Sequence, residues 1–307
     1  MLTRTWNLGI AAALIFGSAL CTAQPMRKAA RMDHGIAAPS NGVGSMLRPV
    51  SLPTTVRILA VMVEFQADGD ARSSGTGKFG TVYPYDLGAE IIDPYPHDRA
   101  YFRAHLRFLE NYIRKCSGGK TTAAGTVLDS VITVSKPIRE YTFLKGGAEK
   151  PVADLAVEAW TLADQKFPGV DFSQYDMFVV FHAGRGRDVD LASISGSDPT
   201  PFDIPSLSFT LNAFRRHLGS SYEGIPVDGG AFRITNSSIV PCTDTREIPM
   251  ITGQTGLLEL SINGLLAASF GTYAGLPDLF NTVRGTTGIG RFGLMDAESI
   301  FAFGGVC

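Results

Sequence analysis

The sequence predicts a mixture of strands and helices of the α/β or α+β kind, and three stretches carry that expectation. VRILAVMVEF (56–65) is a nearly unbroken apolar run rich in β-branched residues, the pattern of a strand buried on both faces. DRAYFRAHLRFLENYIRKCSGGK, from Asp98, spaces Phe102, His105, Leu106, Leu109, Tyr112, Ile113 and Cys116 as one helix face and ends on Gly118-Gly119. DFSQYDMFVVFHAG places a second buried strand at Met177 to Phe181, before a turn at Gly184.

From the start of the chain, MLTRTWN carries one arginine, LGIAAALIFGSAL follows as an apolar run, and CTA offers small residues for cleavage after Ala23. Residues 1–23 therefore read as a secretory signal peptide, since the run is shorter than the roughly 20 apolar residues a membrane span needs. Leu20 is bulky where a lipoprotein signal has a small residue, so soluble export is preferred to a lipid anchor at Cys21. Residues 24–55, rich in Pro, Gly, Ser and Ala without periodicity, read as a linker or pro-segment, and the folded part is expected from about Val56 to residue 307. Residues 66–96 read as a glycine-rich surface loop over a cleft. GTVLDSVITVS (125–135) alternates as a strand or hairpin arm, and VADLAVEAWTLADQK (152–166) as a second helix. SLSFTL (206–211) and FRITNSSIV (232–240) are β-rich, and GQTGLLELSINGLLAASFGTYA (253–274) is a final apolar helix. Such an order mixes helices with strands in one layered domain.

Composition narrows the function. The chain has 307 residues, 45% hydrophobic and 18% charged, with a formal net charge of -2. Neither nucleic-acid binding nor a polybasic membrane surface is indicated, and the mature chain is expected to carry no transmembrane segment. After cleavage Cys116, Cys242 and Cys307 remain, an odd number that allows one disulfide and a spare thiol in an oxidising compartment, with the pairing open. No CxxC pair supports a thiolate zinc site.

The long helix raises the functional question. Gly275 follows it as a residue suited to the left-handed closing conformation, and Gly-Leu-Pro-Asp runs from Gly275 to Asp278. In zinc peptidases such a helix carries H-E-x-x-H-x-x-G-x-x-[H/D], with a methionine turn downstream. Histidines four apart hold Zn²⁺ from one face, the glutamate activates the bound water, and the glycine swings the chain back with the third ligand. With Gly275 as the motif glycine, Ala268 and Thr272 stand at the histidine positions, Ser269 at the glutamate, Asp278 at the third ligand and Met295 at the methionine turn.

On these stretches, together with TTGIGRFGLMD, the chain resembles the secreted metallopeptidases of the immune inhibitor A type. The resemblance implies a metzincin-like zinc-peptidase fold: a twisted mixed sheet, an active-site helix across a cleft and a methionine turn beneath the metal. It carries over Asp278 as a vestigial third-ligand position and Met295 as the turn methionine. The working groups do not follow. Alanine has no lone pair, one carboxylate cannot hold catalytic zinc, and a serine hydroxyl is too weak a base near neutral pH. The expectation is a secreted pseudo-peptidase without catalytic residues or cofactor, binding polypeptide in a remnant cleft or serving as a surface module. An active zinc-dependent endopeptidase with other ligands is the alternative, and a structural or decaying gene product a third reading.

Other signals are weak. Of His34, His97, His105, His182 and His217, no two stand four apart. His105 reads as a core or rim residue, and His182 as the end of a strand beside Asp188 and Asp190, where a calcium-type site competes with a solvated loop. GTTGIG (285–290) lacks the lysine of a phosphate loop and reads as a tight turn; no G-x-S-x-G elbow is present.

Overall fold

The computed structural model describes residues 31–37, 51–82, 92–249, 255–297 and 300. The expected signal peptide, the remainder of the expected linker before residue 51, and Cys307 lie outside the described residues.

β1 (Thr55–Glu64) is the expected central strand, and its alternation decides the architecture. Val56, Ile58, Ala60 and Met62 join one apolar core, whereas Leu59, Val61 and Val63 join another, so the two faces of the strand serve two separate layers. α1 (Arg99–Cys116) packs on the first face through Phe102, Leu106, Leu109 and Ile113. Its start is capped by Asp98, whose carboxylate accepts from the Tyr101 N–H at 3.0 Å. β2 (Thr122–Val127) and β3 (Ile132–Thr133) follow, and both run parallel to β1. The expected hairpin arm over 125–135 is therefore two short parallel strands. α2 (Lys150–Lys166) covers the second face with Val152, Leu155, Ala159 and Trp160, whose indole donates to Ser237 Oγ at 2.9 Å.

β4 (Met177–Arg185) pairs parallel with β1 and is buried throughout. It runs on past the expected turn: Gly184 takes φ +101° inside the strand, beside an irregularity in pairing between His182 and Arg185, so the glycine makes a bulge and the chain continues. α3 (Leu191–Ser195), β5 (Leu207–Phe209) and α4 (Leu211–Leu218) come next. α4 was hidden in the sequence behind a β-rich run; Thr210 caps it by accepting from the Ala213 N–H at 3.3 Å. β6 (Ile225–Val227) and β7 (Phe232–Ile234) form a small hairpin, and β8 (Ser237–Thr243) returns to the main sheet. β9 (Arg246–Pro249) and β10 (Thr255–Leu258) pair antiparallel, α5 (Asn263–Tyr273) follows, and β11 (Phe280–Asn281) and β12 (Thr286–Thr287) close a last hairpin. The final helix is thus shorter than 253–274, its expected first part being the strand β10.

The main sheet runs β2-β1-β4-β8-β5, with β3 beside β1. Its pairings are parallel except for β5, which lies antiparallel to β8 at one edge. α1 and α5 share one face with the first core; α2 and α4 share the other. The molecule is therefore a layered α/β fold. Among the described residues, no helix is long and apolar enough to cross a membrane.

Two expected loops are packed. Ser73 and Ser74, within the predicted surface loop, are buried, and Asp203 accepts from the Ser74 N–H at 2.7 Å and its hydroxyl at 2.9 Å. Residues 31–37, within the predicted linker, lie against the fold with Met32 and Ile36 fully buried, so folded structure begins upstream of Val56.

Candidate functional site

α5 is apolar around its whole circumference and buried from Gly264 to Thr272, as a helix inside a fold must be. Gly275 closes it at φ +83°, with its N–H donating to Thr272 O at 3.0 Å and the Leu276 N–H to Gly271 O at 2.9 Å. Met295 lies directly against the helix: a Cβ on Gly271 would stand 2.5 Å from Met295 Sδ, so a larger residue there would displace the thioether. The Leu279 N–H donates to Met295 O at 2.8 Å, joining that turn to the loop that carries Asp278. Helix, closing glycine, Asp278 loop and methionine are thus assembled together.

The positions assigned to zinc ligands hold no ligand set. Ala268 and Ser269 are fully buried, and neither Ser269 Oγ nor Thr272 Oγ1 has a hydrogen-bond partner. Thr272 lines a pocket of about 280 Å³ with Ser208, Phe209, Thr210, Asn236 and Tyr273, between the last turn of α5 and the edge strand β5. Asp278 Oδ2 accepts from the Ala37 N–H at 3.2 Å, while Oδ1 is buried without a partner; burial lifts the carboxyl to about 6. Zinc fits this donor set badly. A methyl group and two hydroxyls replace two imidazoles and a carboxylate, and the remaining carboxylate already serves a backbone amide.

The histidines are dispersed. His105 is buried on α1, and its Nδ1 meets Asn263 Oδ1 at 2.7 Å, so it ties α1 to the first residue of α5, in keeping with a core residue. Burial lowers it to about 4, against the opposing Asn263 hydrogen bond, so it is neutral at physiological pH. His182 is fully buried inside β4, with Nδ1 donating to Ala183 O at 2.9 Å and its ring edge-on to Phe65. It is therefore neither the end of a strand nor part of a solvated loop. Asp188 and Asp190 also part company: Asp190 caps α3 and pairs with Lys145 at 3.1 Å, whereas Asp188 is turned inward. Among the described residues no group of three or more His, Cys, Asp or Glu side chains could hold a metal ion. Cys116 is exposed and Cys242 buried, both as free thiols.

Sequence reading missed a buried ionic network at the carboxyl ends of β4 and β8. Asp188 Oδ1 accepts from the Ser206 N–H and Oδ2 from its hydroxyl, each at 2.9 Å, and burial lifts Asp188 to about 7. Neither oxygen of Asp244 has a well-formed hydrogen bond, although the Asp188 N–H faces it; burial and then the neighbouring Asp188 push its pKa well up. The two carboxyls crowd Gly186, where a Cβ would stand 2.5 Å from Asp188 Oδ2 and 2.8 Å from Asp244 Oδ1. Arg246 supplies the counter-charge, 3.5 Å from Asp203 and hydrogen-bonded to Gly186 O. The available signal was positional: Asp244-Thr-Arg stands just beyond a β-rich run, and the ends of parallel strands gather polar sites.

Compared with known protein families and with curated proteins, the chain matches none.

Proposed function

We propose that this chain is a secreted, non-catalytic relative of zinc peptidases of the immune inhibitor A type, whose cleft binds polypeptide without cleaving it. The observation that carries the reading is the assembly around α5. Gly275 closes the helix, the Asp278 loop folds back, and Met295 packs at Gly271, while Ala268, Ser269 and Thr272 present no zinc-binding chemistry. On this reading the helix-and-turn framework of such peptidases is retained and their reactive groups are replaced.

A polypeptide in such a cleft would lie along the edge strand β5, whose outer edge faces away from β8. The alternative, a working zinc endopeptidase, needs a ligand set that the described residues do not supply. Casein hydrolysis by the purified full chain, with and without chelator, tests the reading. No chelator-sensitive cleavage is expected; cleavage abolished by chelator and restored by zinc would contradict it.

A further inference from the structure

Residues 31–37 form a bent strap that runs from Val189 to the outer edge of β5. Ala37 forms a parallel bridge with Ser208, and the Ser208 N–H donates to Ile36 O at 2.8 Å. Further back, the Asp33 N–H donates to Asp188 O at 2.7 Å, the Asp190 N–H to Arg31 O at 2.8 Å, and the Met32 N–H to Gly285 O at 3.3 Å. One rung, Ala37 with Ser208, extends the sheet edge as an added peptide does, while Met32 bridges Val189 outside the sheet and the other bonds run to loop backbone.

The side-chain fits are specific. Met32 and Ile36 are fully buried in the core that also receives α5. Asp33 Oδ2 accepts from Arg187 Nε at 3.2 Å, and Lys145 stands 3.4 Å from its other oxygen. His34 Nε2 donates to Ser206 O at 3.0 Å. At Gly35 any Cβ would stand 2.7 Å from Asp278 Oδ2 and 2.8 Å from Thr282 Cγ2, so the groove admits glycine alone there. The strap ends on Asp278, whose carboxylate it occupies through the Ala37 N–H.

We propose that this groove is a peptide site that the chain holds filled with its own residues 31–37. The polypeptides it takes share the strap's order: apolar, acidic, histidine, glycine, apolar. This rests on reading the cleft as polypeptide-binding, and it adds the selectivity and the control of that cleft. An internal strand acts at high effective concentration, so an outside polypeptide enters only after the strap is released by cutting or displacement.

Two measurements test it. In native-state hydrogen exchange of the full chain, the amides of Asp33, Ala37 and Ser208 are expected to exchange at least about tenfold faster than those of β4, through a local opening. Exchange as slow as in β4 would make the strap a permanent part of the core and overturn the proposal. In the second, Gly35→Val in the full chain drives the strap off Asp278 while leaving the groove walls intact. A fluorescent peptide of sequence RMDHGIA is expected to bind this variant at least about tenfold more tightly than the unaltered chain, and to lose about tenfold when its aspartate is changed to asparagine. Equal binding to both chains, or indifference to the aspartate, would overturn it. If Gly35→Val fails to fold, the exchange experiment on the unaltered chain decides alone. Peptide capture accompanied by zinc-dependent hydrolysis would retain the strap and remove the non-catalytic reading; absent capture without zinc would remove the strap alone.

Discussion

At the residue scale the charged groups under the strap set the pH response. Asp188, lifted to about 7 chiefly by burial, binds more protons folded than unfolded between about pH 4 and pH 7. Its contribution to stability therefore falls as pH rises through that window. His34, lowered to about 3 by burial and then by Arg187 and Lys145, works in the opposite sense: the unfolded chain binds more protons between about 3 and 6.5, and stability rises with pH there. Asp188→Asn removes the first effect, and its amide can donate toward Asp244. Urea unfolding should show the variant gaining on the unaltered chain as pH increases from 4.5 to 7.5, by on the order of 2 kcal/mol. A difference independent of pH would contradict the assignment. Little of this was legible beforehand. Asp188 was visible beside a strand, but its burial depends on Ser206 and on the strap, which are distant in sequence. The end of α5, in contrast, followed from local spacing, because Gly275 closes the helix in the left-handed conformation that its place in the sequence predicts.

At the scale of single elements, strongly periodic segments were readable and short ones were not. β1, α1 and α2 carry enough apolar positions to declare their faces. α4 was lost because Leu207, Phe209 and Leu211 alternate with Ser208, Thr210 and Asn212, a strand-like pattern that runs across the cap at Thr210 into the first turn of the helix. Parallel pairing of β2 and β3 with β1 is a long-range property that alternation cannot disclose. For α5, burial on all sides means that its contact with Met295 should be tight. Gly271→Ala sets a helix-propensity gain of about 1 kcal/mol against displacement of the Met295 thioether, so it is expected to destabilise the chain by no more than about 1 kcal/mol, and Met295→Ala in the same chain to turn the substitution favourable, as a double-mutant cycle in urea would show. Additive effects would mean that the helix and the methionine turn do not meet as described.

At the scale of the molecule, the layered sheet brings the edge strand β5, the buried helix α5 and the loop carrying Asp278 near one another, and residues 31–37 bond to β5 and to Asp278. The apolar runs and helical spacing foresaw the α/β class, but packing of the presumed linker required tertiary contacts with Asp188, Ser208 and Gly285 that no local pattern announces. The positions that the zinc-peptidase proposal assigns to ligands carry no zinc-binding set among the described residues. The most direct measurement is zinc titration calorimetry on the full chain and on the combined variant Ala268→His, Ser269→Glu, Thr272→His. The unaltered chain is expected to show no saturable zinc binding, and the variant to take up one zinc per chain with Asp278 as the additional ligand. Saturable zinc in the unaltered chain, or none in the variant, would contradict the account.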